Sequence, residues 1–248
     1  MLKRTAIALS LFTVIGAAHS ADQDEMRKLL TERMPGMQIG AITKAPYAGL
    51  YEVVANGLNV FYTDENANVA IIGRMIDLNT KKDLVEERKQ QLLYVDFSSL
   101  PIDKAIVKVK GDGSRKLAVF SDPDCPFCQE LEQELAKVSN VTIYTFLYPL
   151  AELHPDAERK AKLVWCAEDR AKAWDELMLQ GKEPTAKEGA CDAPLKEISA
   201  VAQKARINGT PGLIFSDGKL VPGMIKSIQI ERNLAASQPK AAAVQSKN

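Results

Sequence analysis

Apolar and polar positions in the first third of the chain change from a helical spacing to short strand-like runs. A helical spacing ends near residue 35, and apolar runs follow at 51–55, 58–63 and 69–72. The first two runs flank Asn56-Gly57, a dipeptide that favours a tight type I′ turn. The pattern predicts a small α+β domain with one helix and three or four antiparallel strands.

A charged helical stretch follows this domain. Thr80 and the charged residues after it are typical of a helix start, and apolar positions continue at helical spacing to about Tyr94. Residues 80–97 are therefore predicted to be a linker helix. A domain as small as residues 22–79 buries little core and leaves strand edges that need covering, and association with a second copy would solve both problems.

Strands and helices alternate in the next part of the chain. Strands are predicted at 106–109 and 117–120 on either side of a glycine-rich turn. A helix is predicted over 126–138 and a further strand over 141–147. This order predicts a right-handed crossover and an α/β domain.

The remainder of the chain predicts a helical insertion and a closing hairpin. Helical spacing dominates about 155–206, strands are expected at 212–215 and 220–221, and a last helix follows over 227–235. Residues 237–248 are predicted to be a disordered tail.

The N-terminus has the pattern of a secretory signal peptide. Lys3 and Arg4 precede an apolar run that ends in small residues, which predicts a signal over residues 1–21, cleaved near Ser20 or Ala21. An uncleaved anchor is the alternative, but the run is shorter than the roughly 20 residues that span a membrane. The mature protein is therefore expected to be exported.

Composition and charge narrow the chemistry. Apolar residues make up 46% of the chain, which is typical of globular domains. Without residues 1–21, which hold two of the 32 basic and none of the 32 acidic side chains, the formal charge is −2, so nothing recruits nucleic acid. His154 is then the single histidine, which excludes a histidine-cluster metal site, and it is interpreted as a surface residue at a helix entry.

Cys125-Pro126-Phe127-Cys128 lies where a predicted strand ends and a helix begins. Free N–H groups and the positive end of the helix stabilise a thiolate there, so Cys125 is expected to be ionised and accessible. Cys128, one turn into the helix, is expected to be buried. Cys125 is the predicted nucleophile and Cys128 the resolving thiol.

The sequence leaves several possibilities open for the four cysteines. For Cys125 and Cys128, the alternatives are a structural disulfide within the first helical turn and half of a zinc site. Zinc is disfavoured, since Cys166 and Cys191 are far apart in sequence and no histidine assists. If Cys125 pairs with Cys128, the other pair is Cys166–Cys191, expected to be a structural disulfide in an oxidising compartment, with two inert free thiols as the alternative.

Thr210-Pro211 precedes the predicted strand 212–215, and a proline entering a strand needs an explanation. A cis peptide bond supplies one. Cis bonds are rare even before proline, so the motif by itself is compatible with an ordinary loop. The upstream cysteine motif makes the cis interpretation the favoured one.

These motifs resemble a known family. Together, the segment 120–128, Gly209-Thr210-Pro211 and Leu220-Val221-Pro222-Gly223 are similar to the bacterial periplasmic disulfide isomerases C and G, over nearly the whole mature chain. The resemblance implies an N-terminal dimerisation domain, a linker helix and a thioredoxin-like catalytic domain over 98–236.

The resemblance also implies roles for individual residues. Thr210 and a cis Pro211 are expected beside the catalytic cysteines, where backbone groups near Thr210 pair with a substrate strand. Cys166 and Cys191 are similar to the structural disulfide of the C type. Pro126 and Phe127 depart from the Gly-Tyr usual in that type and are closer to the Pro-Tyr of the G type.

The expected function is isomerisation and reduction of incorrect disulfides in exported proteins, through a mixed disulfide on Cys125 that Cys128 resolves. The resemblance implies a periplasmic homodimer, misfolded exported proteins as partners and a membrane thiol donor as reductant, and no cofactor or metal is needed. The alternatives are a dithiol oxidase and a chaperone dimer with secondary redox activity.

Overall fold

The computed structural model describes residues 18–47, 49–187, 189 and 191–238. Most of the predicted signal peptide and nearly all of the predicted tail lie outside these residues. The described part divides into two compact units, one ending at Leu92 and one beginning at Leu93. Among the described helices, none has both the length and the apolar character needed to cross a bilayer.

The first unit is a helix packed on a four-stranded antiparallel sheet. Its elements are α1 (Ala18–Arg33), β1 (Ile39–Lys44), β2 (Tyr51–Ala55), β3 (Asn59–Thr63), β4 (Ala70–Ile71) and α2 (Leu84–Leu92). The strands lie in chain order. Met26 and Leu30 of α1 pack with Val53 and Phe61 on one face of the sheet, while Val85 of α2 packs with other residues of β3.

Three details of this unit differ from the sequence prediction. Asn56 and Gly57 have the positive φ angles of a type I′ turn, but Leu58 adds a third turn residue, so β3 begins at Asn59. The strand β1 was not singled out by the apolar pattern. The helix α2 begins at Leu84 rather than Thr80, because Lys81 has a φ of 61° and the Asp83 side chain accepts the N–H of Glu86.

The second unit has a mixed five-stranded sheet with helices packed against it. Its elements are β5 (Ile106–Lys110), β6 (Arg115–Ser121), α3 (Pro126–Leu135), β7 (Val141–Leu147), α4 (Ala157–Trp165), α5 (Arg170–Gln180), α6 (Leu195–Lys204), β8 (Gly212–Phe215), β9 (Leu220–Pro222) and α7 (Ser227–Ala236), with short 3₁₀ turns at Phe97–Ser99 and Ile102–Lys104. The strand order is β5-β7-β6-β8-β9.

The crossover from β6 through α3 to β7 is parallel, and every other neighbouring pair is antiparallel. β5 and β6 flank the predicted glycine-rich turn, but β7 lies between them and separates the two strands. Apolar side chains of β6, β7 and β8 pack with α3 and α7, for example Val119 against Leu131 and Leu234. The predicted fold class, a small α+β domain followed by an α/β domain with a helical insertion, is confirmed.

Candidate active site

The two free cysteines lie in the cysteine turn, residues 122–128, which joins β6 to α3 and includes the start of the helix. Cys125 is the N-cap of α3, with extended backbone angles, and Pro126 follows at the first helical position. The Cys125 carbonyl accepts the N–H of Cys128 at 3.0 Å and that of Gln129 at 3.1 Å. Cys125 therefore accepts the first backbone hydrogen bonds of the helix.

The two sulfur atoms have different surroundings. The Cys125 Sγ donates to the Thr210 carbonyl oxygen at 3.4 Å, and the Cys128 Sγ accepts the backbone N–H of Asp122 at 3.4 Å. Cys128 is fully buried, as expected, but Cys125 is only 4% exposed. The expectation of an accessible Cys125 is wrong in this structure, because its side chain joins the apolar cluster that includes Trp165.

The segment before β8 faces these cysteines. The Thr210–Pro211 peptide bond is cis, and the Thr210 carbonyl is the group that meets the Cys125 sulfur. Between the cysteines, the Phe127 side chain is 60% exposed. The structure thus brings together the sequence-predicted residues Cys125, Cys128 and Thr210, with Phe127 presented to solvent.

Burial sets the protonation of Cys128. Desolvation raises the pKa of the Cys128 thiol to about 12, while the Asp122 N–H and the nearby hydroxyls of Ser121 and Thr210 oppose that increase. A charge on Cys125 would raise it further. Cys128 is therefore a protonated thiol near neutral pH, and it needs to lose its proton before it can attack a disulfide.

A buried carboxylate supports the turn. Asp122 is fully buried, and its two oxygens accept the N–H groups of Asp124 at 2.8 Å and Leu150 at 2.7 Å. The Nδ1 of His154 lies 3.0 Å from Oδ2 of the same carboxylate. These contacts hold the loop after β7 against the cysteine turn.

Sequence reasoning missed this network. His154 was interpreted as a surface residue, but its side chain is only 23% exposed and lies against Asp122. The physical reason is that a buried carboxylate needs partners, and the loop that follows the neighbouring parallel strand supplies them. An acid two residues after the predicted apolar strand 117–120 was the available signal, although the sequence did not identify its partner.

Two further acids lie near the cysteines. The Oδ1 of Asp124, the residue before Cys125, lies 2.5 Å from the Nζ of Lys160 on α4. On α3, one turn after Cys128, Glu132 accepts the indole N–H of Trp174 at 2.8 Å. Burial raises the pKa of Glu132 to about 6, and the hydrogen bond from Trp174 partly opposes this.

Cys166 and Cys191 are joined by a disulfide. It links the C-terminal end of α4 to the segment before α6, with a Cα–Cα distance of 5.5 Å. Cys166 belongs to the same insertion that supplies Lys160. Within the described ranges, no group of three or more histidine, cysteine or acidic side chains is arranged to hold a metal ion.

Two family models match this chain, one in each of the two units. Residues 17–86 match a family model described as the disulfide bond isomerase protein N-terminal domain. Residues 102–238 match a model described as a thioredoxin-like domain.

Individual proteins similar to this chain are named as disulfide interchange proteins. A probable thiol:disulfide interchange protein DsbC of Bordetella parapertussis is 39% identical over 211 residues, covering 85% of this chain and 74% of the relative. The thiol:disulfide interchange protein DsbC of Escherichia coli is 28% identical over 217 residues, covering 86% and 89%. A solved disulfide interchange protein from Neisseria gonorrhoeae is 45% identical, with a TM-score of 0.54, and it covers 57% of this chain and 100% of its own.

Proposed function

Because this chain belongs to the DsbC family of thiol:disulfide interchange proteins, we propose that it breaks and re-forms disulfides in exported proteins through Cys125. The chain is a thiol-disulfide exchange enzyme of the isomerase type. The observation that carries the assignment to Cys125 is its position as N-cap of α3, with its sulfur 3.4 Å from the carbonyl of Thr210 before a cis proline.

The exchange begins when the Cys125 thiolate attacks one sulfur of a wrong disulfide in the substrate. The substrate S–S bond breaks, a mixed disulfide forms on Cys125, and the released substrate thiolate takes up a proton or attacks another disulfide. When a substrate thiolate attacks the mixed disulfide, the enzyme is released unchanged and the substrate has been isomerised.

Cys128 provides a second route by which the mixed disulfide is resolved. Its thiolate attacks the Cys125 sulfur, the reduced substrate leaves, and a Cys125–Cys128 disulfide remains, so that two electrons have passed to the substrate. The high pKa of the buried Cys128 thiol keeps its attack on the mixed disulfide slow near neutral pH, which leaves time for the substrate to rearrange its disulfides. A membrane thiol donor returns two electrons to the enzyme.

Substrate contact is assigned to the groups around the reacting sulfur. Phe127 offers exposed apolar surface beside Cys125, and the backbone of Thr210 offers a carbonyl to an extended substrate strand. A strand that pairs there competes for the carbonyl that holds the Cys125 thiol, which would uncover the sulfur. Pro126 fixes the first helical turn, and the Cys166–Cys191 disulfide is assigned a structural role.

We assign residues 22–79 to dimerisation, 80–97 to the linker and 98–236 to catalysis in a periplasmic homodimer. Among the described residues, the strand β4 pairs only with β3, which leaves its other edge without a strand partner in this part of the chain. Ile71 and Ile72 are 46% and 73% exposed at this edge. An unpaired strand edge with apolar side chains is the surface that a second copy would cover.

The experiment compares Cys125→Ser with Cys128→Ser in the refolding of scrambled ribonuclease. We expect Cys125→Ser to lose isomerisation, since it removes the nucleophile. Cys128→Ser is expected to keep part of the activity and to accumulate mixed disulfides, visible on non-reducing gels, because stalled complexes cannot be resolved. Full activity in Cys125→Ser would exclude the proposed mechanism.

The redox state in cells separates the isomerase from a dithiol oxidase. Acid quench and alkylation should find Cys125 and Cys128 reduced while Cys166 and Cys191 remain oxidised. If all four cysteines are oxidised at steady state, the oxidase assignment replaces the isomerase.

A further inference from the structure

The residue directly before the reacting cysteine is an acid. Asp124 and Cys125 are consecutive, so their Cα atoms are about 3.8 Å apart. An unpaired carboxylate this close to a sulfur disfavours the thiolate, because two negative charges repel at short range. The sequence by itself therefore places an unfavourable charge beside the proposed nucleophile.

The structure provides a cation for this acid. The Nζ of Lys160 lies 2.5 Å from Oδ1 of Asp124, and both side chains are only about one-fifth exposed, at 20% and 22%. The hydrogen bond to Asp124 is the main cause that raises the pKa of Lys160, so the ammonium stays charged throughout the working pH range. Partial burial makes such a pair less subject to screening by solvent than an ion pair at the surface.

The other groups near this turn have their own partners. Asp122 is held by backbone N–H groups and His154, and Asp156 forms its short ion pair with Arg159 at 2.7 Å, lying 3.5 Å from Lys160. The segment before β8 contributes the neutral Thr210 carbonyl. The charged and titratable groups that these contacts connect to the turn before Cys125 are Asp122, Asp124, His154, Asp156 and Lys160, and Cys128 follows in α3.

We propose that Lys160 is a positioning residue of the exchange reaction, which neutralises Asp124 beside the reacting sulfur and so favours the Cys125 thiolate. The helical insertion thereby contributes to the reactivity of the cysteine turn. This inference rests on the proposed function of Cys125 as the attacking thiol.

The test measures the alkylation rate of Cys125 by iodoacetamide as a function of pH, in full-length protein carrying Cys128→Ser. In this background, Lys160→Met should move the midpoint of the rate profile upward by about half a unit to one unit, since an adjacent charge shifts a titration by this order. Below the midpoint this corresponds to a rate roughly 3- to 10-fold slower.

The matched variants fix the direction of the effect. Asp124→Asn should move the midpoint downward, and Lys160→Met combined with Asp124→Asn should return it close to the starting value. Lys160→Arg should retain it, because a guanidinium also neutralises the carboxylate. Lys162→Met, which removes a partly exposed partner of Glu158 on the same helix, should leave the midpoint unchanged.

The opposite shifts distinguish electrostatics from a structural role. Midpoints that shift in the same direction in both single variants, or in neither, would overturn the inference. Asp124→Asn gives an independent reading if Lys160→Met fails to fold. Full isomerase activity in Cys125→Ser would contradict the proposed function instead, since only the differences between variants test Lys160.

Discussion

At the scale of single residues, Glu132 makes the stability of the second unit depend on pH. Its carboxyl group is buried on α3 against Trp174, and its pKa is raised from 4.5 to about 6. Between these two values the folded protein holds the proton more tightly than the unfolded chain does. Stability therefore falls as the pH rises through this window, by on the order of 2 kcal/mol, and stays lower above it.

Glu132→Gln should remove this loss, because an amide oxygen still accepts the indole N–H but carries no charge. We expect the variant to gain stability relative to the unmodified protein when the pH is raised from about 4.5 to about 7. Urea unfolding followed by tryptophan fluorescence measures it, since Trp165 and Trp174 are the two tryptophans of the chain and both lie in the second unit.

Glu130→Gln is the matched control on the same helix, because Glu130 is exposed and its replacement removes the same charge. If both variants show the same pH dependence as the unmodified protein, the buried carboxyl group does not titrate in this window.

At the scale of secondary-structure elements, the insertion is connected to the rest of its unit at several points. Trp174 of α5 reaches Glu132 on α3, and Lys160 of α4 reaches the cysteine turn. The disulfide between Cys166 and Cys191 closes the chain around α5, with a sequence separation of 25. The helical insertion must therefore be folded for Lys160 to make its contacts.

Cys166→Ser combined with Cys191→Ser should destabilise the second unit by roughly 3 kcal/mol, because the open chain gains entropy when it unfolds. The midpoint of urea unfolding, followed by tryptophan fluorescence, should fall accordingly.

Cys125→Ser combined with Cys128→Ser provides the comparison, since these two cysteines are free in this structure. Equal midpoints for the two double variants would show that the Cys166–Cys191 disulfide contributes no net stability.

At the scale of the whole molecule, the edge of β4 is the proposed contact between two copies. Ile72→Asp places a charge on this edge, and burying it in a dimer would be costly. We expect the variant to be monomeric at micromolar concentration by light scattering and to retain the reactivity of Cys125.

Ile228→Asp is the control, because Ile228 is 68% exposed on α7, and an acid in the first turn of a helix is well tolerated. This variant should have the same mass as the unmodified protein. A dimer that persists in Ile72→Asp would place the interface elsewhere.

The sequence by itself determined the position of the cysteine motif and most of the elements, although not β1 or the start of α2. The strand 141–147 and the helix start at Pro126 follow from local periodicity and turn chemistry, which depend on residues close together in the chain. The same local signals placed Cys125 at the end of a strand and the start of a helix. The roles assigned to the site residues stay predictions.

Apart from Thr210, which the family resemblance places beside the cysteines, only the tertiary structure decided which distant residues meet at this turn. It placed β7 between β5 and β6, buried Cys125 against the Thr210 carbonyl, and brought Lys160 to Asp124. Partners such as these are separated by many residues, and the packing of the elements fixes them. Periodicity describes which face of an element is apolar, whereas the partner of a single buried polar group depends on the complete fold.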